Sequence, residues 1–246
     1  MSNEGFRFSI ASSAAWAPGV ETQDDWLAWA NGDRAIAGDH EPPVKLMAPM
    51  LRRRAGFLGK MALEVAYQCL GKEVEVPTLF CSRHGEVARS VDLLMDLAKA
   101  VPLSPTSFGL SVHNATAGLF SIARNDHTNS IALAAGQSSV EHAVIEACGL
   151  LADGEPRVLL VVNDCPLPAL YGAFQDCHEQ PFAWAWLMRS PTDDVLSLSW
   201  LPLGTNDPSG DERLSAGLEI WRFYLRKDSS LGRTCDGRRW LWSRDA

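Results

Sequence analysis

The sequence predicts an α/β fold, a five-stranded mixed sheet with helices on both faces, and three observations predict it. Between residues 76 and 162, short apolar runs rich in β-branched and aromatic residues alternate with segments of helical periodicity, the rhythm of a mostly parallel sheet whose crossovers are helices. The last strand-like runs, 182–188 and 195–201, are separated only by Arg189 to Asp194, with Pro191-Thr192-Asp193-Asp194 as a hairpin signal that closes the sheet with antiparallel strands. The chain has 246 residues, 46% of them hydrophobic, enough to bury a substantial core in one domain.

Taken in order, residues 6–11 alternate apolar and polar side chains as a first strand, and a loop through Pro18 and Gly19 leads to a short helix over 24–30. After a break at Gly38, Pro42 and Pro43, residues 46–70 read as one amphipathic helix with Leu58, Met61, Ala62, Val65, Ala66 and Cys69 toward the core and Gly71 at its end. A buried strand over 76–81 precedes a helix over 87–100, whose apolar side carries Val91, Leu94, Met95 and Ala98. Residues 130–135 are a strand, 138–152 a helix with Val140, Ala143, Val144, Ala147 and Leu151 on one side, and 157–162 a strand. The expected division is an α/β domain over 1–205, then a C-terminal helical extension and basic tail over 206–246: a polar linker at 206–211, a helix over 212–226 and a tail with Trp240 and Trp242 as candidate partner contacts.

Composition narrows the function. A net charge of −8 offers no broad positive field to a phosphate backbone, which argues against nucleic-acid binding. Residues 1–19 hold a single basic residue, Arg7, and no apolar run of signal-peptide length, and no stretch reaches a membrane span, so a cytoplasmic location is expected. The six cysteines, Cys69, Cys81, Cys148, Cys165, Cys177 and Cys235, form no C-x-x-C pair and cluster with no histidine; free thiols and no metal follow.

The informative stretch runs from Leu103. Ser104-Pro105 is followed after eight residues by Asn114, then by Ala117-Gly118, then by Ser130-Ile131-Ala132-Leu133-Ala134. Here the chain resembles the N-terminal half of the β-ketoacyl synthases of the thiolase superfamily, where such a strand delivers a nucleophilic cysteine at a sharp turn into a helix. Counting back from Gly154 places Gln137 at the cysteine position, with His142 where the family often has a helical histidine; counting forward from Ser130 places Ala135 there. Neither is a cysteine, and condensation requires a thiolate whose pKa the helix N-terminus lowers. The resemblance also implies two histidines in a second half of the fold, which this chain is expected to lack.

Glutamine at the cysteine position is similar to the chain-length factors of type II polyketide systems, and the length is similar to the small subunits of aryl polyene systems. The resemblance therefore implies a catalytically inactive subunit that pairs with a full-length ketosynthase and shapes its acyl tunnel during elongation of carrier-bound polyketide, aryl polyene or fatty acyl chains, with no cofactor of its own. It places Ser130, Ile131, Ala132, Leu133, Ala134 and Ala135 at the partner interface, Phe108 and Leu110 in the tunnel wall, and Arg52, Arg53, Arg54 and Lys60 where acyl carrier protein docks. An unpaired apolar edge strand is a hazard in itself, which asks independently for a partner.

Each of these residues has a plainer reading: Gln137 as a neighbour of a helix cap, the arginines as a solvated helix face, Phe108 and Leu110 as core, and His84, His113 and His142 as structural histidines. The rival class is a serine hydrolase or thioesterase using Ser138, because Gly136-Gln137-Ser138-Ser139-Val140 joins a strand to a helix as a nucleophile elbow does, although Val140 stands where a small residue is needed. A Cys165 and His178 pair is a weaker rival, since closeness in sequence says nothing of geometry.

Overall fold

The computed structural model describes residues 5–203 and 214–245. The expected linker at 206–211, and the first residues of the helix expected to follow it, lie outside the described residues.

The α/β class holds, with eight strands in the sheet rather than five. The strands are β1 (Phe6–Trp16), β2 (Thr78–Cys81), β3 (Ser130–Leu133), β4 (Val158–Asp164), β5 (Phe182–Arg189), β6 (Leu196–Pro202), β7 (Ser230–Cys235) and β8 (Arg238–Arg244), in the order β3-β2-β4-β5-β1-β6-β8-β7. Strands β3, β2 and β4 run parallel, and every later pairing is antiparallel. The difference from the expected count lies largely in the tail, whose basic residues mask two strands. Asp236 and Gly237 both have positive φ, 50° and 70°, and turn the chain so that β8 lies between β6 and β7. Trp240 and Trp242 point from that hairpin into the core with at most 1% of their surface exposed, so they are not partner contacts.

The helices are α1 (Gln23–Asn31), α2 (Pro49–Arg52), α3 (Phe57–Leu70), α4 (Val87–Ala98), α5 (Pro105–Gly109), α6 (Ala115–Arg124), α7 (Ser139–Ala152) and α8 (Ala216–Arg226). Thr22 and Asp25 start α1 with a reciprocal capping box. The single helix expected over 46–70 is two. Residues 53–56 interrupt it, and α3 begins after Gly56.

Two hydrophobic cores flank the sheet, and the alternation along each strand decides which side chain joins which. In β5, Phe182, Trp184, Trp186 and Met188 face one core, while Ala183, Ala185 and Leu187 face the other. The alanines let α3 lie close against the sheet, with Leu58, Met61, Ala62, Val65 and Ala66 buried there. The tryptophans fill the opposite face beneath α1, α7 and α8. Trp221 of α8 stacks on Trp184 at 5.7 Å and meets Trp26 of α1 edge-on at 6.0 Å. At the start of α8, Gly217 accepts a hydrogen bond on its carbonyl from the Trp184 indole at 2.9 Å. A Cβ on Gly217 would lie 2.3 Å from the Phe182 ring, so only glycine permits this approach. In β4, Val158, Leu160 and Val162 face the tryptophan core and Leu159 and Val161 the other. This leaves the carboxyl ends of β2, β3 and β4 together at one end of the sheet, the position where open α/β sheets build their sites.

Candidate functional site

A pocket of about 140 Å³ opens at that end, between the turn entering α7, the loop after β4, the start of α8 and the end of β7. Gln137 sits at its rim in the Gly136–Ser138 turn, where Gly136 takes a φ of 59°. Its amide donates to Asp176 Oδ2 at 2.7 Å. The same carboxylate takes both terminal nitrogens of Arg83 at 2.5 Å each, and this pair of charge-assisted bonds drops the Asp176 carboxyl to about 2. Gln137 is thus tied to a fixed ion pair that joins the loop after β2 to the loop after β4.

Asp164, the last residue of β4, forms the floor. Its Oδ1 accepts from the Ser82 hydroxyl at 2.8 Å and from the Arg83 backbone N–H at 2.9 Å. Burial nevertheless dominates these bonds and pushes the carboxyl up to about 7. Beside it, His84 Nε2 and Glu179 Oε1 lie 3.3 Å apart without hydrogen-bond alignment. Burial and then the Arg83 charge lower the imidazole, against the opposing pull of Glu179.

The Asp164 shift has a stability consequence. An unfolded Asp titrates near 3.9, so between about pH 4 and pH 7 the folded protein holds a proton that the unfolded chain releases. The group therefore favours folding at low pH, and this contribution is lost as pH rises through about 7. Asp164→Asn keeps an oxygen for the same donors and removes the buried charge. It is expected to flatten this part of the profile and to gain about 1–3 kcal/mol over the unaltered protein at pH 8, read from urea midpoints at pH 5 and pH 8.

The pocket contains cysteines but no ready thiolate. Burial pushes Cys165 up to about 12, with Asp164 and Glu86 adding to the shift, and pushes Cys177 and Cys235 up to about 11. Cys81, fully enclosed, rises well above the ordinary thiol range for the same reason. Each stays protonated near neutral pH. Among the described residues no group of three or more His, Cys, Asp and Glu is placed to hold a metal ion.

Ser138 is not an elbow nucleophile. It is fully buried, and its hydroxyl and its backbone N–H donate to Asp236 Oδ2 at 2.6 and 3.0 Å. His142 turns Nδ1 to the Ser138 backbone carbonyl, not to the hydroxyl. The Cys165 and His178 pair gains nothing either, because the Cys165 thiol is held protonated and His178 sits in a backbone bridge with Leu214.

The remaining candidate residues lie outside the pocket. Among the described residues Ser130, Ile131, Ala132 and Leu133 form the sheet edge, since β3 has a neighbour only on its β2 side; Ala134 and Ala135 continue past the strand, and the Ala135 N–H is bonded to Ser139 Oγ at 2.9 Å. Phe108 stands 63% exposed on α5, whereas Leu110, just past the helix, packs partly against the α3 core. Arg52 donates to the Pro43 and Val44 carbonyls and Lys60 pairs with Glu41, leaving Arg53 and Arg54 as exposed residues. The sequence reading overlooked Arg83, Asp164, Asp176 and Glu179. Arg83 and Asp164 were within reach, because they stand at the ends of parallel strands; Asp176 and Glu179 arrive from a loop with no pattern to announce them.

With this geometry in place, comparison with known proteins decides the family. Residues 26–243 match the family model described as "Beta-ketoacyl synthase, N-terminal domain". The chain belongs to that family. The match extends through α8 and the β7–β8 hairpin. Among solved structures, the ketosynthase ApeO in complex with its chain length factor ApeC from Xenorhabdus doucetiae is similar with a TM-score of 0.82 and 27% identity, over 96% of this chain and 99% of that chain. The ishigamide ketosynthase/chain length factor shares the fold at TM-score 0.70 and 12% identity, over 98% and 99% of the two chains. So does the complex AntDE:AntF, a type II polyketide synthase acyl-carrier protein with its ketosynthase, at 0.72 and 9%, over 98% and 99%. No curated protein matches the chain. Among the described residues no helix is long and apolar enough to cross a membrane.

Proposed function

We propose that this chain is a non-catalytic, chain-length-factor-like subunit that pairs with a full-length ketosynthase and bounds its acyl tunnel while a carrier-bound chain is elongated. The observation that carries this reading is the turn into α7. It carries Gln137, an amide locked to Asp176, and Ala135, the two positions where the resemblance would put an acyl-accepting thiolate and neither a thiol, and burial pushes up every thiol lining the pocket. The likeness to a structure whose printed description pairs a ketosynthase with its chain length factor supports the choice of partner.

In this reading β3 is the edge that meets the ketosynthase, with Ala134 and Ala135 carrying the contact toward Gln137. Phe108 and Leu110 reach the tunnel, and the partner supplies the nucleophilic cysteine and both histidines. Arg53 and Arg54 meet the acidic carrier protein, with Arg52 and Lys60 holding the loop beneath them, and the association weakens as salt rises.

Intact-protein mass spectrometry after incubation with acyl-loaded carrier protein tests the catalytic part. The chain alone is expected to gain no acyl mass, while the co-purified ketosynthase does. An acyl adduct on this chain would overturn the reading.

A further inference from the structure

A second hollow, of about 490 Å³, is bounded by β1, α1, the C-terminal end of α8 and Arg244 at the end of β8, and it shares no lining residue with the pocket at Gln137. Half of its lining is apolar, with Ala14, Trp26, Leu27, Trp221, Tyr224 and Leu225 among the residues that form it. A cavity of about 150 Å³ takes one benzene ring, so this one has room for a body of about two fused rings or a chain of about eight carbons.

The polar groups of the groove are unevenly spent. Its two carboxylates already have cations, since Asp194 pairs with Arg244 and Glu21 meets His40 at 2.6 Å. The donors are in surplus. Lys227, the left-handed residue that ends α8, makes no ion pair or side-chain hydrogen bond among the described residues. Arg244 is held in place by Asp194, by the Tyr224 carbonyl at 3.1 Å and by the Tyr224 ring at 5.7 Å, yet its Nε–H has no acceptor. The indole N–H groups of Trp26 and Trp221 have none either. All three of these side chains are more than nine-tenths buried, where a donor ordinarily finds a partner. Trp16, Trp186, Trp240 and Trp242 also carry unpartnered indoles, but they line neither hollow.

We propose that this groove binds a small monocarboxylic acid with an apolar body, its carboxylate taken by Lys227 and Arg244 and its body lying against Leu27, Tyr224 and Leu225. Ligand sites combine an apolar lining with a few convergent polar groups in this way, and the Arg244 guanidinium needs no reordering to accept an anion. A cation is a poor occupant, because both acids are engaged and Lys227 would oppose it. A phosphate ester carries more charge than one free ammonium can balance.

The test needs only this chain. Titration calorimetry compares octanoate and 2-naphthoate with 1-octanol and 2-naphthol, which keep each body and lose the carboxylate. At least one acid is expected to bind with a Kd on the order of 100 µM, its uncharged counterpart at least tenfold more weakly, and the tighter acid tells whether the body is a chain or a ring system. Lys227→Met should weaken binding about fivefold to tenfold, and Leu27→Asp, which puts a negative charge against the body, about tenfold or more. Lys99→Met, at an exposed lysine outside the groove, should change nothing. Circular dichroism checks that each variant is folded; Lys227 is exposed, so its replacement carries the test if Leu27→Asp does not fold. On binding, hydrogen exchange should slow over 13–15, 23–27 and 221–227.

Absence of binding by both acids overturns the proposal. So does equal binding of acid and uncharged counterpart, or binding that Lys227→Met leaves intact. A loss as large in Lys99→Met as in Lys227→Met would mark a general surface charge effect and overturns it as well.

Discussion

Replacing Arg233 by leucine is expected to cost about 3–5 kcal/mol of stability and to lower the melting midpoint by roughly 10 °C. Arg233 reaches from β7 beneath α7 and α8, with 7% of its side chain exposed. It pairs with Glu141, which is completely buried, and donates through Nε to Glu219 at 2.8 Å. A third nitrogen reaches the Gln137 carbonyl at 3.3 Å. Without the guanidinium, Glu141 would keep a charge in the core with nothing to balance it, and its second oxygen already has no hydrogen-bond partner among the described residues. Urea unfolding at pH 7 checks this. The double variant Arg233→Leu/Glu141→Leu should recover much of the loss, since it removes the charge together with its partner. A single variant within 1 kcal/mol of the unaltered protein would mean that water or a shifted Glu141 already satisfies the site.

Trp221→Ala is the other large effect, expected at about 3–5 kcal/mol. The indole is 3% exposed and lies among Trp26, Trp184, Trp186 and Tyr224, with ring centroids between 5.3 and 6.5 Å away. It joins α8 to α1 and to the sheet, so its loss leaves a cavity bounded by side chains that Gly217 and the sheet hold in place. Trp221→Phe, which keeps much of the ring volume, should cost appreciably less. Equal losses in the two variants, read from urea midpoints, would show that the cluster collapses around the gap or that indole size is not what matters.

The parallel part of the sheet was legible because short apolar runs and period-3.6 segments alternate from β2 to β4. The last two strands were not, although one sign was present. Asp236-Gly237 is a strong two-residue hairpin signal, and Trp240 and Trp242 alternate with outward residues around it, but four arginines in the same stretch gave it the look of a solvated tail. Periodicity also found the apolar side of α4 without revealing that the chain leaves it uncovered; burial depends on what packs against a face, and that is a tertiary fact. At the site, counting along a family pattern drew attention to Gln137 and Ala135 at the turn into α7. The tie of Gln137 to Asp176 and Arg83 could not be read there, because the three residues come from separate loops, 39 and 93 positions apart in the two contacts.

The measurement that bears most directly on the central claim is size-exclusion chromatography of the chain co-expressed with a full-length ketosynthase from the same organism, followed by an elongation assay with carrier-bound malonate. The account predicts a one-to-one complex whose activity disappears when the ketosynthase's cysteine is replaced and survives Gln137→Ala in this chain. A chain that stays alone and hydrolyses thioesters by itself would contradict it.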